Sequence, residues 1–330
     1  MKDNFIKIAV LGLGYMGQNH LRVISKSPEV KVVAICDIDL KKTKKLTKLY
    51  NVKAYKDYKK LIKNENLDAV FICLPTSLHY KASGFAIDKN IAVFIEKPIC
   101  ATPRQARKLI KAASLKKVPV MVGHIERFNP VVSEIKQRIT SGELGKIIHI
   151  HTQRFSPPPA RAQDVSAIVD LATHDIDIIK YILGHDPIRI YSETENKYHQ
   201  KEDLMSALIR FADGVIGLVE VSWLHPTKIR NLTVVGQNGM YVANYLTQEL
   251  LFYRQNDNKL KNKSLSPSNT WADVVKIGFE AKEPLQIELE AFIRALKAKS
   301  KMPITAEEGL AALEMTSKME KSGISHKVIK

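Results

Sequence analysis

The sequence predicts two domains: a doubly wound α/β domain on a parallel sheet over residues 1–123, and an α+β domain with a largely antiparallel sheet over 124–330. Three observations predict it. Through the first third, apolar runs of five to seven residues alternate with amphipathic segments, the pattern of parallel strands covered on both faces by helices. Glycines 12, 14 and 17 sit where the first run passes into the first helix. Beyond His124 the apolar runs are joined by Asp213-Gly214 and Asn238-Gly239, dipeptides that turn antiparallel hairpins.

In order along the chain, strands are predicted at Lys7 to Leu11, Val30 to Cys36, Ala69 to Leu74, Ile91 to Ile95 and Val118 to Val122. The intervening helices run from Met16 to Ser25, through a lysine-rich segment after Asp37, from Tyr80 to Asp88 and from Pro103 to Ser114. Thr102-Pro103-Arg104-Gln105 supplies a capping hydroxyl, a proline at the first helical position and a glutamine three residues on, which fixes that helix start. The second half opens with a helix at Pro130 to Thr140 and a strand at Lys146 to Phe155, broken by Pro157-Pro158-Pro159. A helix from Ile168 to Leu183 ends at Gly184, and strands follow at Ile188 to Glu193, Leu204 to Phe211, Val215 to Trp223, Asn231 to Val235 and Met240 to Asn244. The polar stretch Asn256 to Asn269 reads as a mobile loop or insertion. Leu285, Leu289, Phe292, Ile293 and Leu296 form one helical stripe, and Thr305-Ala306-Glu307-Glu308 is a capping box opening a last helix, about 305–320, that can pack back on the first domain.

With 330 residues, 45% hydrophobic and 26% charged, the composition is that of an ordinary folded protein, which excludes fibrous and disordered classes. Cys36, Cys73 and Cys100 form no CxxC pair, which favours reduced thiols and a cytoplasmic location over a disulfide scaffold or a zinc site. No apolar stretch approaches the ~18 residues of a membrane span. Met1-Lys2-Asp3-Asn4 leads into the glycine-bearing run without a small-residue cleavage site, so no secretory signal is expected. The net charge of +17 admits an anionic partner, but its densest stretch, nine lysines between Lys41 and Lys60, has little aromatic interleaving and reads as a solvated face.

Gly12, Gly14 and Gly17, with Tyr15 and Met16 between them, have separate physical tasks: a tight turn, close approach of backbone to a pyrophosphate, and close packing of helix on strand. Asp37 ends the second strand, 20 residues after Gly17, where its carboxylate can accept from ribose hydroxyls and repel a 2′-phosphate. This is the Rossmann dinucleotide-binding arrangement, and it favours NAD over NADP. Glu96-Lys97-Pro98 follows a strand at the carboxyl edge of the sheet, where Lys97 can stabilise negative charge on a substrate oxygen; the same residues can equally be a surface ion pair. Asp170, His174, Asp177 and Tyr181 fall within roughly 60° of arc on a helix of 3.6 residues per turn. A histidine poised by a carboxylate suits general acid/base work, yet the period alone does not separate a catalytic stripe from a solvated one. No spacing of His149, His151 or His185 completes a metal set with His174.

The chain resembles the glucose-fructose oxidoreductase and inositol dehydrogenase family (Gfo/Idh/MocA type) at Gly12 to Gly17, at Pro75-Thr76 with His79, at Glu96-Lys97-Pro98, at Asp170 with His174, and at the last helix opening. The resemblance implies a nicotinamide cofactor held also by Pro75, Thr76, His79 and Glu96, and a cis Lys97-Pro98 bond. It further implies that His174 is the base, that Lys97 orients the substrate hydroxyl and that Asp170 positions the pair. Val165-Ser166-Ala167-Ile168-Val169 departs from the glycines many members carry there. With Gly123 to Pro130, Leu171 to Asp177 and Pro284 to Glu288, it looks like the branch that oxidises the 3-hydroxyl of UDP-N-acetylglucosamine, which implies substrate contacts from His124, Arg127, Asn129 and Arg154. Arg127 and Arg154 can meet a diphosphate bidentately, or can be structural ion pairs.

The sequence is therefore expected to encode an NAD-dependent dehydrogenase of a nucleotide sugar, with a free polyol or sugar as the alternative substrate. A non-catalytic cofactor-binding or nucleic-acid-binding protein is the competing class, against which Lys97, Asp170 and His174 together argue. Neither a nucleic acid nor a membrane is expected as a partner. A homodimer or homotetramer is, because one face of the second sheet lacks cover within the chain.

Overall fold

The computed structural model describes residues 5–158, 166–255 and 272–330. Met1 to Asn4, Pro159 and the whole Asn256 to Asn269 stretch lie outside the described residues. The chain forms two compact units, each made of two segments: Met1–Ile125 with Glu283–Glu314, and Glu126–Lys282 with Met315–Lys330.

In the first unit, β1 (Ile6–Leu11), β2 (Val30–Cys36), β3 (Lys53–Tyr55), β4 (Ala69–Ile72), β5 (Ala92–Glu96) and β6 (Val120–Gly123) form a parallel sheet in the order β3-β2-β1-β4-β5-β6. The order reverses between β1 and β4, the switch point beyond which open α/β sheets bind their ligands. Helices α1 (Tyr15–Ile24), α2 (Leu40–Tyr50), α3 (Tyr58–Asn64), α4 (Thr76–Asp88) and α5 (Pro103–Lys116) connect the strands. The turn from β1 into α1 admits only glycine at two places. Gly12 has φ +91°, and a Cβ on Gly17 would lie 1.8 Å from the Gly12 carbonyl oxygen. Of α2, only Thr43 and Leu46 are buried, so its lysines form a solvated face.

β3 and α3 were not anticipated, and both are short: a three-residue edge strand shows no alternation, and seven residues make barely two helical turns. α4 begins at Thr76, one turn before the expected Tyr80.

The first unit, whose first segment ends at Ile125, also takes in Glu283–Glu314. The reason is aromatic packing. Phe71 and Phe94, stacked at 4.8 Å on the sheet, receive the edge of Phe292 from α8 (Pro284–Ala298) at 5.4 and 5.6 Å. Phe292 is fully buried, a contribution of about 1.5–3 kcal/mol to joining α8 to this sheet. The capping box of α9 (Ala306–Ser325) forms as expected: Thr305 N donates to Glu308 Oε2 at 2.8 Å and Glu308 N to Thr305 Oγ1 at 3.3 Å. Its first turns lie against β6, since a Cβ on Gly309 would meet Val122 at 2.6 Å.

The second unit holds an eight-stranded sheet of β7 (Ile147–Phe155), β8 (Pro187–Glu195), β9 (Leu204–Phe211), β10 (Ile216–Ser222), β11 (Ile229–Gly236), β12 (Gly239–Asn244), β13 (Glu249–Gln255) and β14 (Ala272–Ile277). Their order is β14-β13-β12-β11-β7-β10-β9-β8, with every neighbouring pair antiparallel except β10 with β7. Asp213-Gly214 and Asn238-Gly239 turn the β9–β10 and β11–β12 hairpins. β13 escapes a period-two reading because Leu251 and Tyr253 put apolar groups on the face opposite buried Leu250 and Phe252. Helices α6 (Pro130–Thr140) and α7 (Thr173–Leu183) pack on one sheet face. The expected Ile168 to Leu183 helix is α7 preceded by a π-helical turn over Ile168–Ala172. Among the described residues no helix is long and apolar enough to cross a membrane.

Gly17→Ala is expected to force the β1–α1 turn apart and to lower unfolding stability by about 2–4 kcal/mol in denaturant titration. A stability equal to that of the parent would contradict the contact.

Candidate active site

The first unit gathers most of the predicted cofactor residues at the switch point. Gly14 caps α1 without any side-chain hydrogen bond, and a Cβ there would meet nothing within 4 Å, so the helix N-terminus faces open space. Free space over a helix start with no side-chain cap suits a pyrophosphate. Tyr15 is exposed and Met16 half-buried on that first turn. Asp37 accepts from Leu13 N at 2.6 Å through Oδ2 and from Asp39 N at 2.8 Å through Oδ1, which ties the end of β2 to the glycine turn. Each carboxylate oxygen keeps a second lone pair for a ribose hydroxyl. These residues fit a dinucleotide, whose nicotinamide would supply the hydride acceptor.

Pro75 and Thr76 open α4 beyond β4. His79, by contrast, is buried, with Nδ1 2.8 Å from Pro98 O and Nε2 2.8 Å from Leu74 O. It therefore reaches the site through the two backbone segments it holds. Glu96 ends β5, and the Lys97-Pro98 bond is cis. The Glu96 carboxylate lies 2.6 Å from His20 Nε2. Burial pushes its carboxyl up, but the His20 hydrogen bond and charge, together with Lys97 and His79, hold it below the usual carboxylate range. His20 was passed over in the sequence; it sits in the buried stripe of α1 with Gly17, Leu21 and Ile24, where an imidazole interrupts an otherwise apolar face.

The second unit holds Asp170 and His174, the residues the sequence offers for acid/base work. Asp170 lies in the π-helical turn and His174 in the first turn of α7, both half-buried. The wider π-turn rotates Asp170 off the line a 3.6-residue period draws, so the common arc holds only from His174 onward. Ser166 sets this turn: its hydroxyl accepts from Val169 N at 3.2 Å and donates to Glu320 at 2.8 Å. The stripe is not a solvated face. Asp177 is buried, gripped by Arg127 through Nε at 2.8 Å and a terminal nitrogen at 2.6 Å, and the guanidinium lies 5.1 Å over the Tyr181 ring.

Both arginines that the sequence offers either to a diphosphate or to structural ion pairs are held in ion pairs within this unit. Arg154 is buried, with Nε 3.0 Å from each oxygen of Asp175 and a terminal nitrogen 2.7 Å from Glu126. Asn129 caps α6, its Oδ1 accepting from Val131 N at 3.3 Å while its amide donates to Tyr245 O at 3.2 Å. His124 is buried at the end of β6. A cation the sequence did not single out stands opposite Arg154 in the β11–β7 ladder: Arg230, half-buried and hydrogen-bonded to Phe155 O. Burial and the charge of Arg154 push it down to about 10, against the pull of Asp175, Glu126 and Asp170. A cross-strand arginine pair leaves no period to find it by.

A family model described as an oxidoreductase family with an NAD-binding Rossmann fold matches residues 6–124, and the GFO/IDH/MocA C-terminal domain matches residues 132–242. The chain belongs to the GFO/IDH/MocA oxidoreductase family. Within it, the chain is 24% identical over 319 residues to the uncharacterized oxidoreductase YrbE of Bacillus subtilis, covering 93% of this chain and 91% of that one. It is 28% identical over 236 residues to the scyllo-inositol 2-dehydrogenase (NAD(+)) of Bacillus subtilis, covering 68% and 69%. Among solved structures, the UDP-N-acetylglucosamine 3-dehydrogenase of Acidithiobacillus ferrooxidans matches with a TM-score of 0.85 at 20% identity, over 96% of this chain and 97% of that one. At that identity the likeness is one of fold.

Arg127→Met strands a buried carboxylate and is expected to cost about 3–5 kcal/mol of unfolding stability, most of it recovered in Arg127→Met with Asp177→Leu. Because Glu96 titrates below its ordinary 4.5, its contribution is present above that pH and lost as pH falls through the folded value. Glu96→Gln should flatten the acid side of a stability-against-pH curve.

Proposed function

We propose that this GFO/IDH/MocA oxidoreductase oxidises a secondary ring hydroxyl to a ketone, using NAD rather than NADP. The observation that carries the proposal is Lys97, placed directly after β5 on the sheet edge that also presents the glycine turn and Asp37. An ammonium there can hydrogen-bond the reacting oxygen and hold negative charge as it develops. His174 takes the hydroxyl proton, and Asp170, in the preceding turn, keeps the imidazole oriented and stabilises it once protonated. NAD, when bound, would supply the hydride acceptor for the same carbon. The negative charge of Asp37 disfavours a 2′-phosphate.

For the substrate we propose a nucleotide sugar, specifically the 3-hydroxyl of UDP-N-acetylglucosamine, on the near full-length likeness to the Acidithiobacillus ferrooxidans protein. A free polyol is the second reading. It is favoured by the ion pairs of Arg127 and Arg154, which engage both guanidiniums with carboxylates of the protein itself. We also propose a homodimer or homotetramer through the sheet face that carries Leu208, Ile216 and Val274, exposed at 53%, 38% and 53%. Free thiols at Cys36, Cys73 and Cys100 suit a reducing cytoplasm.

Reduced-cofactor absorbance is expected when the protein is offered NAD with UDP-N-acetylglucosamine, and free UDP should inhibit; turnover of inositol untouched by UDP would select the polyol. Silence across nucleotide sugars and polyols alike would end the proposal. Lys97→Met and His174→Ala should each lower kcat by about 100-fold or more, with the double variant little slower than the worse single one, as for groups acting on one hydroxyl. Asp37→Ser should raise KM for NAD by about tenfold and narrow the preference over NADP.

A further inference from the structure

We propose that His20 is a positioning residue for Lys97, acting through Glu96; the inference rests on the reading of Lys97 as a reacting side chain. His20 is completely buried, its ring lodged against Phe71 at 5.7 Å and Phe94 at 5.1 Å. Such a slot would take leucine or methionine with no desolvation cost. The imidazole is there for a single polar contact. Nε2 meets Glu96 Oε1 at 2.6 Å, while Nδ1 has no hydrogen-bond partner among the described residues.

That contact joins two parts of the site that are remote in sequence. His20 stands on α1, three residues after Gly17, whose place is set by its approach to the Gly12 carbonyl. Glu96 is the last residue of β5 and is bonded to Lys97. On the other side of Lys97, the Pro98 carbonyl is held by His79 from α4. The lysine backbone is therefore fixed on both sides, by His20 through a side chain before it and by His79 through a carbonyl after it. Because α1 also carries the helix start that faces the pyrophosphate, seating of the cofactor and placement of the ammonium share one rigid connection.

The titratable groups facing Glu96 are His20 from α1, His79 from α4 and Lys97 itself; the Cys73 thiol lies beyond β4, and Glu288 of α8 faces that thiol. Without His20, Glu96 loses the only hydrogen-bond donor the described residues give it. Burial then raises its carboxyl, and protonation removes the negative charge beside the lysine at a higher pH than in the parent.

The test uses the full chain with NAD and whichever of UDP-N-acetylglucosamine or inositol the parent oxidises. His20→Met is expected to lower kcat by about tenfold or more with KM for the hydroxyl substrate changed less than about threefold, and to move the acid limb of the kcat–pH profile upward. His20→Gln, which keeps a donor near the Nε2 position, should restore both. His20→Met combined with Glu96→Gln should be no slower than the slower single variant. NADH fluorescence titration and far-ultraviolet circular dichroism report whether each variant is folded and binds cofactor. A folded His20→Met with parental kcat and acid limb overturns the inference, as does a folded His20→Gln as impaired as His20→Met. If His20→Met does not fold, His20→Gln and Glu96→Gln carry the test, and an unshifted acid limb in Glu96→Gln overturns it. A parent that oxidises neither compound, or Lys97→Met at full rate, instead defeats the reading of Lys97.

Discussion

The approach of α1 to the end of β1 is the contact on which the first unit depends. With a Cβ of residue 17 only 1.8 Å from the Gly12 oxygen, the helix can start where it does only if that Cβ is absent. That start sets the open N-terminus, brings Leu13 N to Asp37, and carries His20 to Glu96. Three features of the cofactor edge, separate in sequence, are thus consequences of one close packing. The stack of Phe71, Phe94 and Phe292 behind them holds the same helix face in place.

In the second unit the organising interaction is electrostatic. Arg127 with Asp177, and Arg154 with Asp175 and Glu126, bury charge that is stable only as complete sets. They fix α6, α7 and β7 around the turn that bears Asp170 and His174. The arrangement ties both guanidiniums to carboxylates of the same unit. Arg230 stands beside them in the ladder, held by Phe155 O and without a carboxylate in ion-pair distance among the described residues.

Much of this was legible in the sequence because the responsible signals are local. The glycine spacing, Asp37, the Thr102 and Thr305 caps and the two hairpin dipeptides each announce themselves within a few residues, and each is found in place. What escaped depends on partners far along the chain. Arg127 takes its carboxylate partner, Asp177, from 50 positions away, and His20 meets Glu96 from 76 positions away. The π-turn was hidden for another reason: periodic reading assumes one helical pitch, and a single wider turn breaks the phase without changing the composition.

Phe292 has a consequence for the order in which the protein can be made. The aromatic face of the first sheet, which α1 covers only in part through His20, is completed when a ribosome has delivered α8, and the last strand of that sheet waits longer still, for the Gly309 turn that lies against Val122. Native closure of the first unit therefore waits for α8 and for the turn that bears Gly309, and until then the nascent chain carries a part of its apolar sheet face without that cover, a state in which holdase chaperones would find their binding surface.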